Sequence, residues 1–489
     1  MIKSARASLL SHAVVVMLPL AEIASLPFSV LGAELHIGAA TADITPSEPV
    51  SLTGQRRARI STKPDTPIQA SVLAIEAREG GRVIDQAIMV SCDLVAIRGG
   101  VLEKSRSKIG AAIADFDALK LFLAATHTHT APTMIEGRYT LPESGVMQPV
   151  EFVEWATDRI AGAAVEAWKS RKPGKVAWGQ GHAVVAQNRR PFFANGKVRK
   201  LGKTNTPDFR GIESYEDHSL DVLFFWDQND RLLATIVNVP CPSQEVGGNS
   251  SINADFWDPV RRRLREAHGE DLHILAWCGA AGDVTSKPAF AKQADARMRR
   301  LRGDLSRVEE VARRIVAGWE DALAGAKNDI RDDVVFAHRA LDIDLPKRQV
   351  TEAEYESAKA QAARYRDNPR EKWNHRWHNN VVVRYEQQLD GTLQPYRMEL
   401  HALRLGDIAI ATNDFELFTE FGIRMKNRSP AIQSFVVQLA GPGSYLPTKR
   451  AVAHGGYSGL VQSSVVGPKG GQTLVDKTVA EWNRMWKKK

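Results

Sequence analysis

The stretch that most constrains this chain is residues 121–133, LFLAATHTHTAPT, where an apolar run ends in His-x-His and is halted by Pro132. Buried aliphatics rising into two histidines are the pattern of a core strand whose last residues emerge into a site. In an extended chain, residues i and i+2 point to one face. His127 and His129 are therefore expected to project together, with Thr128 turned away. Two imidazoles so placed sit beside a metal, or one beside a metal and the other beside a substrate. The plain alternative is a pair of strand-end histidines with no ligand.

What surrounds that stretch is ordinary in bulk. Of 489 residues, 43% are hydrophobic and 25% charged, which is globular composition. The net charge of +8 is dispersed, with short basic clusters at 261–263, 299–302 and 487–489. No basic stripe interleaved with aromatics stands out, so a nucleic-acid partner is not expected. At the N-terminus, Lys3 and Arg6 precede apolar runs at 13–20 and 23–31, and Gly32-Ala33 follows. This pattern predicts a secretory signal over 1–33 and an exported mature chain, periplasmic or secreted, from 34 to 489. Glu22 interrupts the run, and an integral membrane span wants about 18 unbroken apolar residues, so none is expected.

Cysteine usage agrees with a fold that rests on its core. The three cysteines are too few, and odd in number, for an exported disulfide framework. Cys92 and Cys278 sit in strand-like contexts and read as small buried apolar residues. Cys241 differs, because it lies between two prolines in NVPCPSQ, where no regular element runs.

Strands are expected at 35–44, 68–76, 87–95, 121–125, 176–185, 219–226, 232–239, 272–277, 335–346, 400–405, 408–411 and 435–439. Helical spacing marks 101–118, 151–170, 257–267, 306–323, 351–365 and 415–425. Ser306-x-x-Glu309 and Thr351-x-x-Glu354 read as capping boxes. Gly80-Gly81 and Gly406-Asp407 read as hairpin turns. With no repeat and no linker-like shift in composition, the expectation is an α/β fold: one large domain with mixed β-sheets flanked by helices.

Several stretches share one grammar, an apolar strand followed by a polar, Gly- or Pro-rich turn. ATADITP at 40–46, VSCDL at 90–94, ATHTHTAP at 125–132, GDVT at 282–285, FELFTEFG at 415–422 and SYLPT at 444–448 fall in this order. On these blocks the chain resembles the neutral, non-lysosomal ceramidases, zinc-dependent amidases that cut the amide of N-acyl sphingosine. The resemblance implies a neutral-ceramidase-like fold, a Zn2+ cofactor and a place in sphingolipid metabolism. The chain stops soon after the Tyr segment, so the family's carboxy-terminal immunoglobulin-like domain is expected to be absent.

The resemblance also implies roles. His127, Glu416 and Tyr445 match three of the family's zinc ligands, His129 matches a histidine beside the substrate, and Arg189 matches an arginine that lines the site. Where the family has its second ligand histidine, in a His-Pro pair, this chain has Cys241-Pro242. A thiolate binds zinc well, so Cys241 is a candidate ligand; a lost ligand, or one supplied by His218, is the alternative. Thr285, followed by Ser286, stands where the family's proposed serine nucleophile lies, and its methyl crowds the hydroxyl. The mechanism this implies is attack by a zinc-activated water, with His129 as acid/base. Arg189, or the backbone N–H groups of 279–282, would stabilise the oxyanion. The expected function is an exported zinc-dependent hydrolase acting on a small-molecule or lipid-like N-acyl substrate. A zinc hydrolase for another substrate, such as a glycoconjugate, and a non-catalytic binding protein on the same fold stay open.

Overall fold

The computed structural model describes residues 32–487. The expected secretory signal lies, up to residue 31, outside the described residues. Two sheets stack face to face with helices on their outer sides. The larger has nine strands, eight in the spatial order His273–Cys278, Leu232–Val239, Ser219–Asp227, Lys172–His182, Ala33–Asp43, Gln69–Glu79, Arg82–Cys92 and Leu121–Ala125. Asp333–Val334 adds a short pairing on Ala33–Asp43. The smaller has four: Phe336–Leu345, Tyr396–Leu405, Ile408–Thr412 and Gln433–Val437.

Alternation along the strands produces the layers. Leu73, Ile75 and Ala77 face the smaller sheet, where they meet Leu403, Ile410 and Phe435. Their neighbours Val72 and Ala74 face outward onto the helix Pro149–Lys169. The outer face of the smaller sheet is covered by Thr419–Arg428 and Pro468–Trp486. A period-two pattern with both faces apolar is what a strand needs between two such layers.

The larger sheet is antiparallel in the middle and parallel at both edges. At one edge the helix Val101–Ala112 carries the chain from Arg82–Cys92 to Leu121–Ala125, and at the other Trp257–His268 carries it from Leu232–Val239 to His273–Cys278. Parallel neighbours need such a crossover. The sheet also curls, so that the Ser91 hydroxyl donates to Ala276 O at 2.6 Å and accepts from Ala276 N at 3.0 Å. The curl brings the loops beyond the two edges together. Ser243 N donates to Thr126 O, and Asn253 N to Thr130 O, both at 3.4 Å.

Three expectations change. Residues 415–418 are not helical: Glu416–Leu417 is extended beside Tyr445–Leu446, and the helix starts at Thr419. Tertiary hydrogen bonds override the local pattern there, from Glu416 N to Ser444 O and from Leu417 N to the Gln438 side chain. The Ser306 box is half formed: Ser306 caps Glu309 N, but the Glu309 carboxylate is drawn to Arg262 and Arg263 on the adjacent helix. The box at Thr351 is complete. The sequence reading also omitted Lys372–Leu389, a helix that packs on Glu352–Tyr365 and buries only Val381 and Arg384. With so little of it buried, no apolar stripe marks it. No helix among the described residues is long and apolar enough to cross a membrane.

Candidate functional site

A cavity of about 610 Å³ opens above the loop that follows Leu121–Ala125. The strand stops before the histidines, and His127 takes a left-handed backbone conformation, with φ 69°. The expected extended His-x-His is thus wrong in detail. A left-handed residue without glycine's freedom is strained, and such strain is held where surrounding bonds over-determine it. Here Thr126 N donates to Cys92 O and His127 N to Leu94 O, both at 3.0 Å. The rings still meet, with centroids 4.9 Å apart and planes at 79°. Thr128 turns away as expected and donates to Asn253 O.

His127 Nδ1 lies 2.6 Å from Val95 O. A carbonyl only accepts, so Nδ1 carries the proton. In the neutral ring Nε2 is then a lone pair, and it has no hydrogen-bond partner among the described residues. It faces Glu416 Oε2 at 3.3 Å. Two acceptors face each other in a buried place, an arrangement that asks for a cation or a proton between them.

Glu416 is delivered by the two-residue pairing Glu416–Leu417 against Tyr445–Leu446, which sets Glu416 and Tyr445 side by side. The backbone of Glu416 and Leu417 comes so close to Gly282 that a Cβ there would lie 2.2 Å from Glu416 O, so only glycine fits. Burial pushes the Glu416 carboxyl up, but His127, when its ring is protonated, and Arg189 outweigh it and hold it down at about 2. Burial pushes the Tyr445 phenol well above its ordinary range. Its hydroxyl accepts from Arg189 Nη2 at 2.9 Å, and the same nitrogen donates to Gly282 O at 2.8 Å.

His129 is packed against glycines. A Cβ at Gly54 or Gly247 would lie 2.5 or 2.9 Å from its side chain. Arg59 ties this region together through Thr53 O, His129 O and Gly247 O. Burial, with His127 second, pushes the His129 imidazole well below its usual range, so it is neutral at neutral pH. Its Nε2 lies 3.0 Å from the Gln244 side-chain nitrogen, which donates to it.

Five of the residues singled out by sequence therefore converge: His127, His129, Arg189, Glu416 and Tyr445. Cys241 and Thr285 do not join them. The Cys241 thiol points at Val185 O, 3.6 Å away, within an apolar cluster, and burial pushes it well above the ordinary thiol range. That is the opposite of a metal-ready thiolate. The Thr285 hydroxyl accepts from Lys287 N at 3.3 Å and does not line the cavity. The GDVT turn is structural instead: Asp283 caps Thr419 N at 2.8 Å and accepts from Asn188, so that it anchors the segment carrying Arg189. The N–H groups of Gly279, Ala281 and Gly282 are spent on Val239 O, Gln438 Oε1 and Leu417 O, and no residue of 279–282 lines the cavity, whereas Arg189 is bonded to Tyr445, which does. His218 pairs with Glu216 at 3.3 Å, and burial is outweighed by that pairing, which raises its pKa.

Among the described residues, no three His, Cys, Asp or Glu side chains converge on a metal-sized space. The donor set is His127 Nε2 and the Glu416 carboxylate, completed by the Tyr445 phenol. The orphaned Nε2, with Nδ1 tied to a carbonyl, is how metal-binding histidines are oriented, so these residues fit a divalent cation.

Sequence reasoning missed the other walls. Trp373 and Trp377, one turn apart on Lys372–Leu389, stack at 5.3 Å, and Trp377 stacks on Tyr457 at 5.8 Å. Arg56, Arg98, Arg138, Lys200 and Arg376 also line the cavity. The available signal was WNHRWH at 373–378, aromatics interleaved with bases on a helix with no core to face.

Neither a scan against protein-family models nor a search of curated proteins finds a match. Among solved structures, the chain is similar to neutral ceramidase from Pseudomonas aeruginosa, with 19% identity and a TM-score of 0.65, over 92% of this chain and 75% of that one. A ceramidase complexed with C2 is similar at 18% identity and a TM-score of 0.65, over 92% and 76%. The neutral-ceramidase fold expected from the ordered motifs is the fold observed.

Proposed function

We propose that this chain is a metal-dependent hydrolase of the ceramidase type that cleaves an amide, N-acyl bond, with zinc as the metal. The observation that carries the reading is His127 Nε2, unpartnered and 3.3 Å from Glu416, with Nδ1 committed to Val95 O. His127, Glu416 and Tyr445 would hold the ion. Bound there, zinc supplies Lewis acidity that polarises a carbonyl and acidifies water. His129 is neutral, and once Gln244 releases its Nε2 it would accept a proton from the attacking water and return it to the leaving nitrogen. Arg189 stands behind the cavity lining, fixed by Gly282 O and Tyr445, and would favour negative charge developing beside the Tyr445 hydroxyl. Thr285, outside the cavity, takes no part, which favours water as the nucleophile.

The test is hydrolysis of a panel of N-acyl compounds by the purified protein before and after chelation, with zinc added back. Release of free acid that is lost on chelation and restored by zinc supports the reading. No hydrolysis of any N-acyl compound by the zinc-loaded protein contradicts it and leaves a binding protein on this fold. Export is proposed with it, and N-terminal sequencing of the mature protein should find Glu34 first.

A further inference from the structure

Most arginines elsewhere in this fold are paired with carboxylates, although Arg59 and Arg384 are held by backbone carbonyls. Arg190 binds Glu213, Arg261 binds Asp93 through two bonds, and Arg302, Arg313 and Arg314 converge on Glu310. The cavity breaks that habit. Arg56, Arg98, Arg138, Lys200 and Arg376 line it, none is ion-paired among the described residues, and Glu416 is the one acid in the lining.

These cations are held by other means. The Arg56 guanidinium lies over Trp373, Trp377 and Tyr457, at 4.9, 5.2 and 5.3 Å from their centroids. Lys200 lies 4.7 Å over Tyr457. Arg98 donates to Pro442 O and Gly443 O, and burial with Arg138 nearby pushes it down to about 10. Arg138 donates to the Tyr139 hydroxyl at 3.2 Å. Aromatic faces and backbone carbonyls position a cation without cancelling its charge. Arg98 and Lys200 both sense the charge of Glu416, so the basic wall reaches the reacting end of the cavity.

We infer that the substrate is an acidic N-acyl compound, whose carboxylate, sulfate or phosphate ester is received by this basic wall while an apolar or sugar face lies on Trp373 and Trp377. The word substrate rests on the hydrolase reading; recognition of the anion does not. A cleft lined by one sign of charge concentrates ligands of the other sign. Guanidinium groups bind oxyanions through paired hydrogen bonds. A wholly neutral lipid amide would desolvate these cations and return nothing to them.

The experiment is calorimetric titration of the zinc-loaded protein with N-hexanoylglycine and with N-hexanoylglycinamide, equal in length and differing in charge. The O-phosphate and O-sulfate of N-hexanoylethanolamine form further arms that tell the anion classes apart. The acid should bind at least about tenfold more tightly than the amide, and that gap should shrink as salt rises. In Arg56→Gln/Arg376→Gln, and in the single Arg376→Gln as a check on folding, the gap should narrow. Equal binding of every acid and the neutral amide by the wild type, or a gap untouched by salt and by both variants, overturns the inference. Acid bound tightly but never cleaved keeps the anion site and sinks the hydrolase; neutral amide cleaved without preference does the reverse.

Discussion

Two close pairs of histidines are built into this molecule, and they are used in opposite ways. His338 and His401, on neighbouring strands of the smaller sheet, have ring centroids 5.1 Å apart, and His127 and His129 have theirs 4.9 Å apart. In the first pair every ring nitrogen has a partner. His338 Nδ1 donates to Gln86 O at 3.0 Å and His338 Nε2 accepts from His401 Nδ1 at 2.9 Å, so that His401 Nε2 accepts from Arg106 Nη2 at 3.5 Å when neutral and donates to Glu399 at 2.7 Å when protonated. Arg106 completes Glu399 with bonds from both terminal nitrogens. In the second pair His127 Nε2 has none among the described residues, its backbone is left-handed, and it faces a second acceptor, Glu416. Proximity of imidazoles is therefore no sign of a site. What separates the two is whether the polar groups are satisfied by the protein itself.

Substitutions should separate the pairs sharply. His127→Ala is expected to lower kcat for N-acyl hydrolysis by about a thousandfold or more, with folding unchanged by circular dichroism. Arg189→Met should lower kcat about a hundredfold with little change in KM, as loss of an oxyanion partner does. His401→Leu acts on the closed pair, so it should cost about 2 kcal/mol in urea unfolding and leave kcat within about twofold. A fall in kcat as large as that of His127→Ala would erase the distinction between the pairs.

Smaller effects test the walls of the open pair. Loss of water around Lys200 in the cavity, followed by the nearby Arg189, pushes its ammonium down to about 8, with Glu416 opposing and Arg56 adding to the fall. A cation with a lowered pKa is charged below that value and neutral above it. Affinity for N-hexanoylglycine should therefore drop several-fold as pH rises through about 8, and Lys200→Arg should remove that step. Cys241→Ala should leave zinc content unchanged and cost about 1 kcal/mol, the loss of one small buried group from an apolar cluster.

Much of the scaffold was legible because pattern and environment agree. The apolar run 121–125 is fully buried, the Gly80-Gly81 turn has positive φ at both residues, and the 82–125 segment is the expected strand, helix and parallel strand. The convergence of His127, Glu416 and Tyr445 was foreseeable because short motifs preserve order along the chain. The rest depended on contacts distant in sequence. Glu416 reads as the first turn of a helix until Tyr445 pairs with it. Cys241 reads as a ligand until its thiol turns to Val185 O. Gly282-Asp283 reads as part of a nucleophile block, yet it supports Arg189 and caps a helix. Residues 372–389 carry no periodic apolar signal, because their aromatics face a cavity rather than a core.

The most direct measurement is the zinc content of the purified protein after equilibrium dialysis, for the wild type, His127→Ala, Glu416→Gln and His401→Leu. One zinc per chain is expected for the wild type and for His401→Leu, with loss in His127→Ala and Glu416→Gln. A wild type that binds no zinc, or zinc retained in full by both His127→Ala and Glu416→Gln, would contradict a metal centre built on the open histidine pair.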